Sequence, residues 1–317
     1  MKCFITGITG FAGSFLAEHL IQAGDYKISG TYLTDDSLKN LSFVSNKIQL
    51  HKVDLQNYRD LAEIVLSEKP DIVFHLAALT APGKSFGNPS EFITNNISIQ
   101  VNILEAIRAA KISPRTLIVS SAEVYGNVSA SNLPIDEETP LRPVNPYAVS
   151  KLTQDFLGLQ YFLTYKLPIV RVRPFNHIGP RQSPSFVVAS FAKRIAEIEK
   201  GKNDPTLKVG NLSSKRDFTD VRDTVEGYAQ IIEKGQEGEV YNIGSGRSIQ
   251  IEALLDKLLS FSTSKITVEV DQTLIRPVDV PDLVCDNSKI KKQTGWEPKI
   301  PIEQTLRETL DYWRSQV

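Results

Sequence analysis

Only two cysteines occur in 317 residues, Cys3 and Cys285, at opposite ends of the chain. That excludes a disulfide framework and a Cys-x-x-Cys metal site, and it fits a reducing, cytoplasmic compartment. Cys3 stands in an apolar run and reads as an inert buried thiol. Histidine is nearly as scarce, at four. His19 and His51 are isolated, and nowhere do His, Asp and Glu gather at metal-ligand spacing, so no metal is expected. No apolar run approaches the roughly 18 residues of a membrane span. Gly7 breaks the first apolar run, and no small-residue cleavage site follows, so a signal peptide is not expected either. An excess of charge of either sign is also missing: 36 Lys and Arg face 37 Asp and Glu, a net charge of -1. A nucleic-acid or anionic-membrane binder would ordinarily be basic overall. Neither partner is expected, while a local site for a small anion stays open. Internal repeats and low-complexity tracts are absent.

What remains is an ordinary globular composition, 41% hydrophobic and 23% charged, in a chain long enough for one and a half to two domains. Up to about residue 175, short apolar or β-branched runs alternate with longer stretches of helical spacing. The expected strands cover 3–6, 27–31, 48–53, 72–76, 116–120 and 169–173; the expected helices cover 14–23, 61–66, 97–110 and 148–165. Most of the strands are apolar throughout rather than alternating, as in a parallel sheet buried on both faces. The rhythm predicts an α/β fold: a doubly wound parallel sheet with right-handed crossovers. Beyond Pro174 the loops lengthen, around 179–184 and 201–205, and single helices alternate with isolated strands at 239–243 and 266–270. The expected division is therefore a dinucleotide-binding Rossmann domain over 1–174 and a smaller mixed α/β substrate lobe over 175–317, with threading of the second back onto the first left open.

The first strand runs into Gly7-Ile8-Thr9-Gly10-Phe11-Ala12-Gly13, and a helix follows. Glycines here let the backbone approach a pyrophosphate, whose charge meets free N–H groups and the positive end of the helix dipole. After the fifth strand comes Ser120-Ser121-Ala122-Glu123-Val124-Tyr125-Gly126, and further on Tyr147-Ala148-Val149-Ser150-Lys151. Tyr147 and Lys151, four apart on a helix, share one face. The ammonium is expected to lower the phenol pKa by charge proximity. The phenol can then exchange a proton with a carbonyl or hydroxyl oxygen that also takes a hydrogen bond from Ser121.

The GxxGxxG spacing, the strand end at Ser121 and the Tyr-x-x-x-Lys pair, in that order, resemble the extended short-chain dehydrogenases/reductases that act on nucleotide sugars. The resemblance spans essentially the whole chain. It is carried further by 173–180 (RPFNHIGP), 209–212 (VGNL), 215–220 (KRDFTD), 276–281 (RPVDVP) and 292–298 (KQTGWEP), which look like the GDP-mannose branch of that family. The run 175–223 is most similar to its 4-keto-6-deoxy-mannose reductases.

This resemblance implies a cofactor site at Gly7, Gly10, Phe11, Ala12, Gly13, Thr31, Asp54, Leu55, Leu76, Ala77 and Ala78, with Tyr147, Lys151 and His177 closing on the nicotinamide. It implies Asn176, Arg216 and Arg276 as contacts of a GDP-linked sugar, with Lys193 as a weaker candidate. Asp279 stands where the family usually has Glu, at a guanine or ribose contact. Asn95 reads either as a helix cap or as a support of the active site. NAD-selective relatives carry an acidic residue near Thr31. Its absence favours NADP(H); the lack of an Arg after the second strand, with Asp35 and Asp36 close by, leaves NAD(H) open.

The implied chemistry is NADPH-dependent reduction of a 4-keto-6-deoxy sugar nucleotide, as from GDP-4-keto-6-deoxy-mannose to GDP-rhamnose. A 4,6-dehydratase and a sugar-nucleotide epimerase are the competing enzymes. A non-enzymatic sensor is disfavoured because Ser121, Tyr147 and Lys151 are all present. Related dehydratases follow the strand-end Ser with a Ser or Asp and then a Glu; here those two positions are Ala122 and Glu123. A homodimer is expected through the helices near 97–110 and 148–165, where Leu152, Phe156, Leu159 and Phe162 exceed what one buried stripe needs.

Overall fold

A computed structural model describes residues 1–42, 44–275 and 280–317. Its largest sheet begins with β1 (Lys2–Thr6), β2 (Lys27–Tyr32), β3 (Ile48–Lys52), β4 (Ile72–His75), β5 (Arg115–Val119) and β6 (Ile169–Pro174). A short β7 (Asn176–Ile178), β8 (Thr206–Val209), β9 (Lys215–Asp220) and β10 (Val240–Ile243) follow, then β11 (Ser248–Gln250), β12 (Thr267–Val270) and β13 (Asp282–Leu283). Seven of these form a parallel sheet in the order β10-β6-β5-β4-β1-β2-β3. The reversal of strand order at β1 and β4 opens a crevice at the carboxyl ends of the strands, where ligands of such sheets sit.

Helices cover both faces. In chain order they are α1 (Phe11–Ala23), α2 (Tyr58–Glu68), α3 (Pro82–Ser85), α4 (Pro89–Ala109), α5 (Pro146–Tyr165), α6 (Val187–Glu199), α7 (Val221–Lys234), α8 (Ile251–Leu259), α9 (Ser288–Thr294) and α10 (Ile302–Gln316). One core layer joins α1 and α7 to the sheet through Leu16, Leu20, Phe74, Tyr228 and Trp296; the other joins α2, α4 and α5 to it through Leu61, Val65, Ile103 and Tyr161. Strands such as β4, buried at every position, have no polar face to show because both faces are covered.

The chain does not keep its halves apart in sequence. Strand β10 pairs with β6, Tyr241 opposite Val172, so the seventh strand of the first sheet comes from beyond residue 175. Helix α7 is capped at its start by Asp220, whose carboxylate accepts from the Arg222 N–H at 2.8 Å, and it returns to pack on α1. Trp296 locks this return: it is 1% exposed, and its indole N–H donates to the Asp223 carbonyl at 2.9 Å.

The second lobe has its own core, in which Phe191 of α6, Leu254 of α8 and Leu310 of α10 meet Phe218 of β9. Its central strand β9 carries β7 and β13 parallel and β11 antiparallel, while β8 pairs with β12. Cys3 and Cys285 are both free and buried. Among the described residues no helix is long and apolar enough to cross a membrane, and no three His, Cys, Asp or Glu are grouped to hold a metal ion.

Candidate active site

The turn from β1 to α1 is built for close approach. Gly7 has φ of 68°, a left-handed conformation. A Cβ on Gly13 would stand 2.3 Å from the Gly7 carbonyl oxygen, so no larger residue fits there without moving the loop. Gly10 caps α1 with no side chain in the way, which turns the first-turn N–H groups and the positive dipole end toward the crevice. These are the features that a dinucleotide pyrophosphate needs. Thr31, at the end of β2, is buried, and its hydroxyl accepts from the Gly7 N–H at 3.3 Å. The floor near it is continued by Leu33, Thr34 and Ser37, with no carboxylate among these; Asp35 is turned to Lys52 at 2.6 Å.

Opposite this cradle stand Ser121, Glu123, Tyr147 and Lys151. Ser121 lies two residues beyond β5 and caps a one-turn helix over 122–125, accepting from the Glu123 N–H at 3.2 Å. Helix α5 starts on Asn145, whose side chain accepts from the Ala148 N–H at 2.7 Å, with Pro146 in its first turn. This start presents Tyr147 and Lys151 to the crevice one turn apart. The Lys151 ammonium donates to the Val119 carbonyl at 2.7 Å and to Gln154 Oε1 at 2.8 Å.

The expectation that Lys151 lowers the phenol pKa is corrected. Burial pushes Tyr147 up; the Ser121 hydroxyl pulls against it, while the Glu123 charge adds to the rise. Lys151 is itself pulled down to about 7 by burial, against the nearby Asp155. Desolvation exceeds the Coulombic effect because both side chains are almost fully enclosed. A phenol held protonated suits a proton donor.

His75 at the end of β4 is buried and drops to about 3, first by desolvation and then by the charge of Lys151, so it stays neutral. His177 lies flat against Phe11, ring centroids 5.8 Å apart and planes within 5°, and burial lowers its pKa as well. That stacking joins the second lobe to the cofactor loop.

All the expected cofactor residues line a single cleft of about 750 Å³, and so do Ser121, Glu123, Asn176 and Arg216. Arg216 is anchored by donating to the Val280 and Lys215 carbonyls at 2.6 and 2.7 Å. Lys193 is not among the residues that line the cleft: its ammonium faces Glu197 at 3.5 Å and the Trp313 ring. Along α6 the cleft is lined by Val187, Val188, Ser190, Phe191 and Arg194, and Arg194 is the cation there. Helical phase makes this correction, since Lys193 is off the 187-190-191-194 stripe. Arg276 and Asp279 lie outside the described residues. Asn95 lines the cleft but is no cap, because α4 already starts at Pro89. Its neighbour Asn96, fully buried, grips Leu79 and donates to Ser150 Oγ at 2.9 Å.

Three further residues were not singled out from sequence. Asn145 holds Glu123 Oε2 at 2.9 Å. Gln154 is fully buried between Lys151 and the Asn96 carbonyl. Asp155 lies on α5 between Arg171 and Arg173, at 2.5 and 2.7 Å. For Asn145 a signal existed, since Asn-Pro ahead of an apolar periodicity marks a helix start. The other two show only in the folded contacts.

Comparison with known proteins bears on this geometry. A family model described as GDP-mannose 4,6 dehydratase matches residues 4–309. GDP-6-deoxy-D-mannose reductase of Pseudomonas aeruginosa is 34% identical over 316 residues, covering 100% of this chain and 98% of that protein. GDP-mannose 4,6-dehydratase of Yersinia enterocolitica is 29% identical, covering 97% of this chain and 92% of its own length. A solved structure of RMD from Pseudomonas aeruginosa complexed with NADPH superposes with a TM-score of 0.86 at 34% identity, over 100% of this chain and 99% of that one.

Proposed function

The chain belongs to the GDP-mannose 4,6-dehydratase family, and within it we propose that this protein is a reductase that converts GDP-4-keto-6-deoxy-mannose to GDP-rhamnose with NADPH. The observation that carries this reading is Ala122. Dehydration needs a base for the C5 proton and a donor to help the C6 hydroxyl leave. Glu123 lines the cleft and has the carboxylate a base needs, but Ala122 beside it offers only a methyl group, 4% exposed. Reduction needs neither group. It needs a donor for the developing alkoxide, which Tyr147 supplies, a second hydrogen bond, which Ser121 supplies, and a positive charge one turn from the phenol, which Lys151 supplies while it is protonated, below about pH 7. NADPH provides the hydride when bound. The C4 carbon gains the hydride, the C4 oxygen gains the Tyr147 proton, and solvent restores the phenol.

NADPH rather than NADH is supported by Thr31, with Thr34 and Ser37 beyond it, where an acidic residue would repel a 2′-phosphate. Support also comes from the likeness to the structure of RMD from Pseudomonas aeruginosa complexed with NADPH. The division of labour belongs to the same proposal: cofactor on 1–174 and sugar nucleotide on 175–317, with Asn176, Arg194 and Arg216 facing the substrate. So do a cytoplasmic location and a homodimer. For the dimer the support is one exposed stripe on α5, Val149, Phe156 and Leu163 at 39%, 50% and 56%. Light scattering tests it, twice the monomer mass being expected.

Following nicotinamide absorbance with GDP-4-keto-6-deoxy-mannose tests the reduction. Consumption of NADPH that NADH does not match is expected. Binding of both ligands without turnover would overturn the reading and leave a sensor. The retained Glu123 favours the dehydratase as the second reading, and its signature would be a 4-keto product from GDP-mannose with no net change in cofactor.

A further inference from the structure

Asn145 does more than start a helix. It is 8% exposed, and both ends of its side-chain amide are engaged. The Oδ1 atom accepts from the Ala148 N–H at 2.7 Å, which caps α5, and Nδ2 donates to Glu123 Oε2 at 2.9 Å across 22 residues of sequence. Tyr147 is two positions further on, in the first turn of that helix. Glu123 is held from its other side as well, because its own N–H donates to Ser121 Oγ at 3.2 Å. Ser121, Glu123 and Tyr147 thus come from two segments that a single amide joins. We propose that Asn145 is a positioning residue: it fixes the helix turn that carries Tyr147 and the carboxylate that flanks the phenol as one rigid unit.

The chemistry explains why an amide is needed. Asn, Asp and Ser cap helices about equally well, and Gly costs only a few tenths of a kcal/mol more. Capping alone would therefore accept an aspartate. Holding a carboxylate requires a donor, and an N–H donor to an ionised oxygen makes one of the stronger protein hydrogen bonds. Only the amide of Asn offers the acceptor to α5 and the donor to Glu123 at this length of side chain. The consequence rests on the reading of Tyr147 as the proton donor. The Glu123 charge favours the protonated phenol, so a carboxylate free to swing away would leave the acid less well held in its donating form.

The test uses the full chain with Asn145→Asp, Asn145→Gly, Glu123→Ala and the Asn145→Gly/Glu123→Ala double variant. Thermal unfolding of the last three, with the parent protein, forms a cycle that needs no substrate. If Asn145 holds Glu123, the double variant loses no more Tm than the worse single variant; additive losses would overturn the proposal. In ketone reduction, Asn145→Asp keeps its Tm within a few degrees and its NADPH affinity and KM within about twofold, while kcat falls about tenfold, a barrier change of about 1.4 kcal/mol. Full kcat in Asn145→Asp would mean that the cap alone matters, and would overturn the proposal. If the parent protein fails to reduce the ketone, it is the functional reading that fails, and the unfolding cycle still decides whether Asn145 and Glu123 act as a pair.

Discussion

Replacing Lys151 by Met should change how stability depends on pH, and the size of the change follows from the site. The ammonium is enclosed, 4% exposed, and burial brings its pKa from 10.5 to about 7. Above pH 7 the folded protein therefore holds a neutral amine, while the unfolded chain keeps the proton up to 10.5. The unfolded state binds more protons across that window, so raising the pH stabilises the native state there. The limiting slope is about 1.4 kcal/mol per pH unit, which integrates to about 2 kcal/mol between pH 7 and 9.

Lys151→Met removes this gain and adds an offset that does not vary with pH. The Val119 carbonyl and Gln154 Oε1 lose their donor, at roughly 1–3 kcal/mol for each buried acceptor left unpaired. Other groups titrate in the same range. The buried thiols of Cys3 and Cys285 are pushed up, so they lose stability as the pH rises through the unfolded thiol range. They are common to both proteins and cancel in the difference. Urea unfolding of both proteins at pH 7, 8 and 9 gives that difference directly. The stability of the parent relative to the variant should rise by about 2 kcal/mol from pH 7 to 9. Parallel curves would refute the claim that Lys151 is held neutral by burial.

Tyr147→Phe should fold normally and bind NADPH, because the ring still packs, yet lose roughly 10²–10⁴-fold in kcat for ketone reduction; a rate above half of the parent's would remove Tyr147 as the acid. Gly13→Ala should weaken NADPH binding by an order of magnitude or more, read by fluorescence titration, since its Cβ would lie 2.3 Å from the Gly7 carbonyl oxygen; unchanged affinity would show that the loop yields freely. Asp155→Ala should cost about 3–5 kcal/mol of stability in urea unfolding, because it leaves Arg171 and Arg173 buried without their carboxylate. It should also lower the Lys151 pKa further, moving the lysine-dependent limb of the pH–rate profile to lower pH, since Asp155 is the group that raises it.

What could be read from the sequence was local. The glycine turn, the strand end at Ser121 and the Tyr147/Lys151 pair each lie within one turn or one strand end, where residue type and spacing set the geometry. What could not be read depends on contacts between distant segments. That Lys193 does not face the cleft is one such case, because composition carries no helical phase until the buried stripe of α6 is known. The place of β10 beside β6 follows from pairing across about 70 residues, which no local pattern specifies. The direction of the Tyr147 shift is hidden from the sequence for the same reason. Proximity to Lys151 is visible in Tyr-x-x-x-Lys, whereas the burial that outweighs it exists only once α5 is packed in the folded chain. Asn145 falls between these cases: its capping role is written in Asn-Pro, but its hold on Glu123 exists only once the segment after β5 meets the start of α5.

The central claim is net transfer of hydride to C4 of a keto sugar nucleotide, and isotope transfer tests it most directly. The protein is given GDP-4-keto-6-deoxy-mannose with NADPH deuterated at the transferable position, and the product is read by mass spectrometry and NMR. The account predicts a GDP-6-deoxyhexose one mass unit heavier, with the deuterium at C4 and one NADP⁺ formed for each product. With GDP-mannose and NADP⁺ it predicts little or no ketone, because Ala122 offers no donor to the C6 hydroxyl. Efficient ketone formation from GDP-mannose, with the cofactor returned unchanged and no deuterium delivered to the keto sugar, would contradict it.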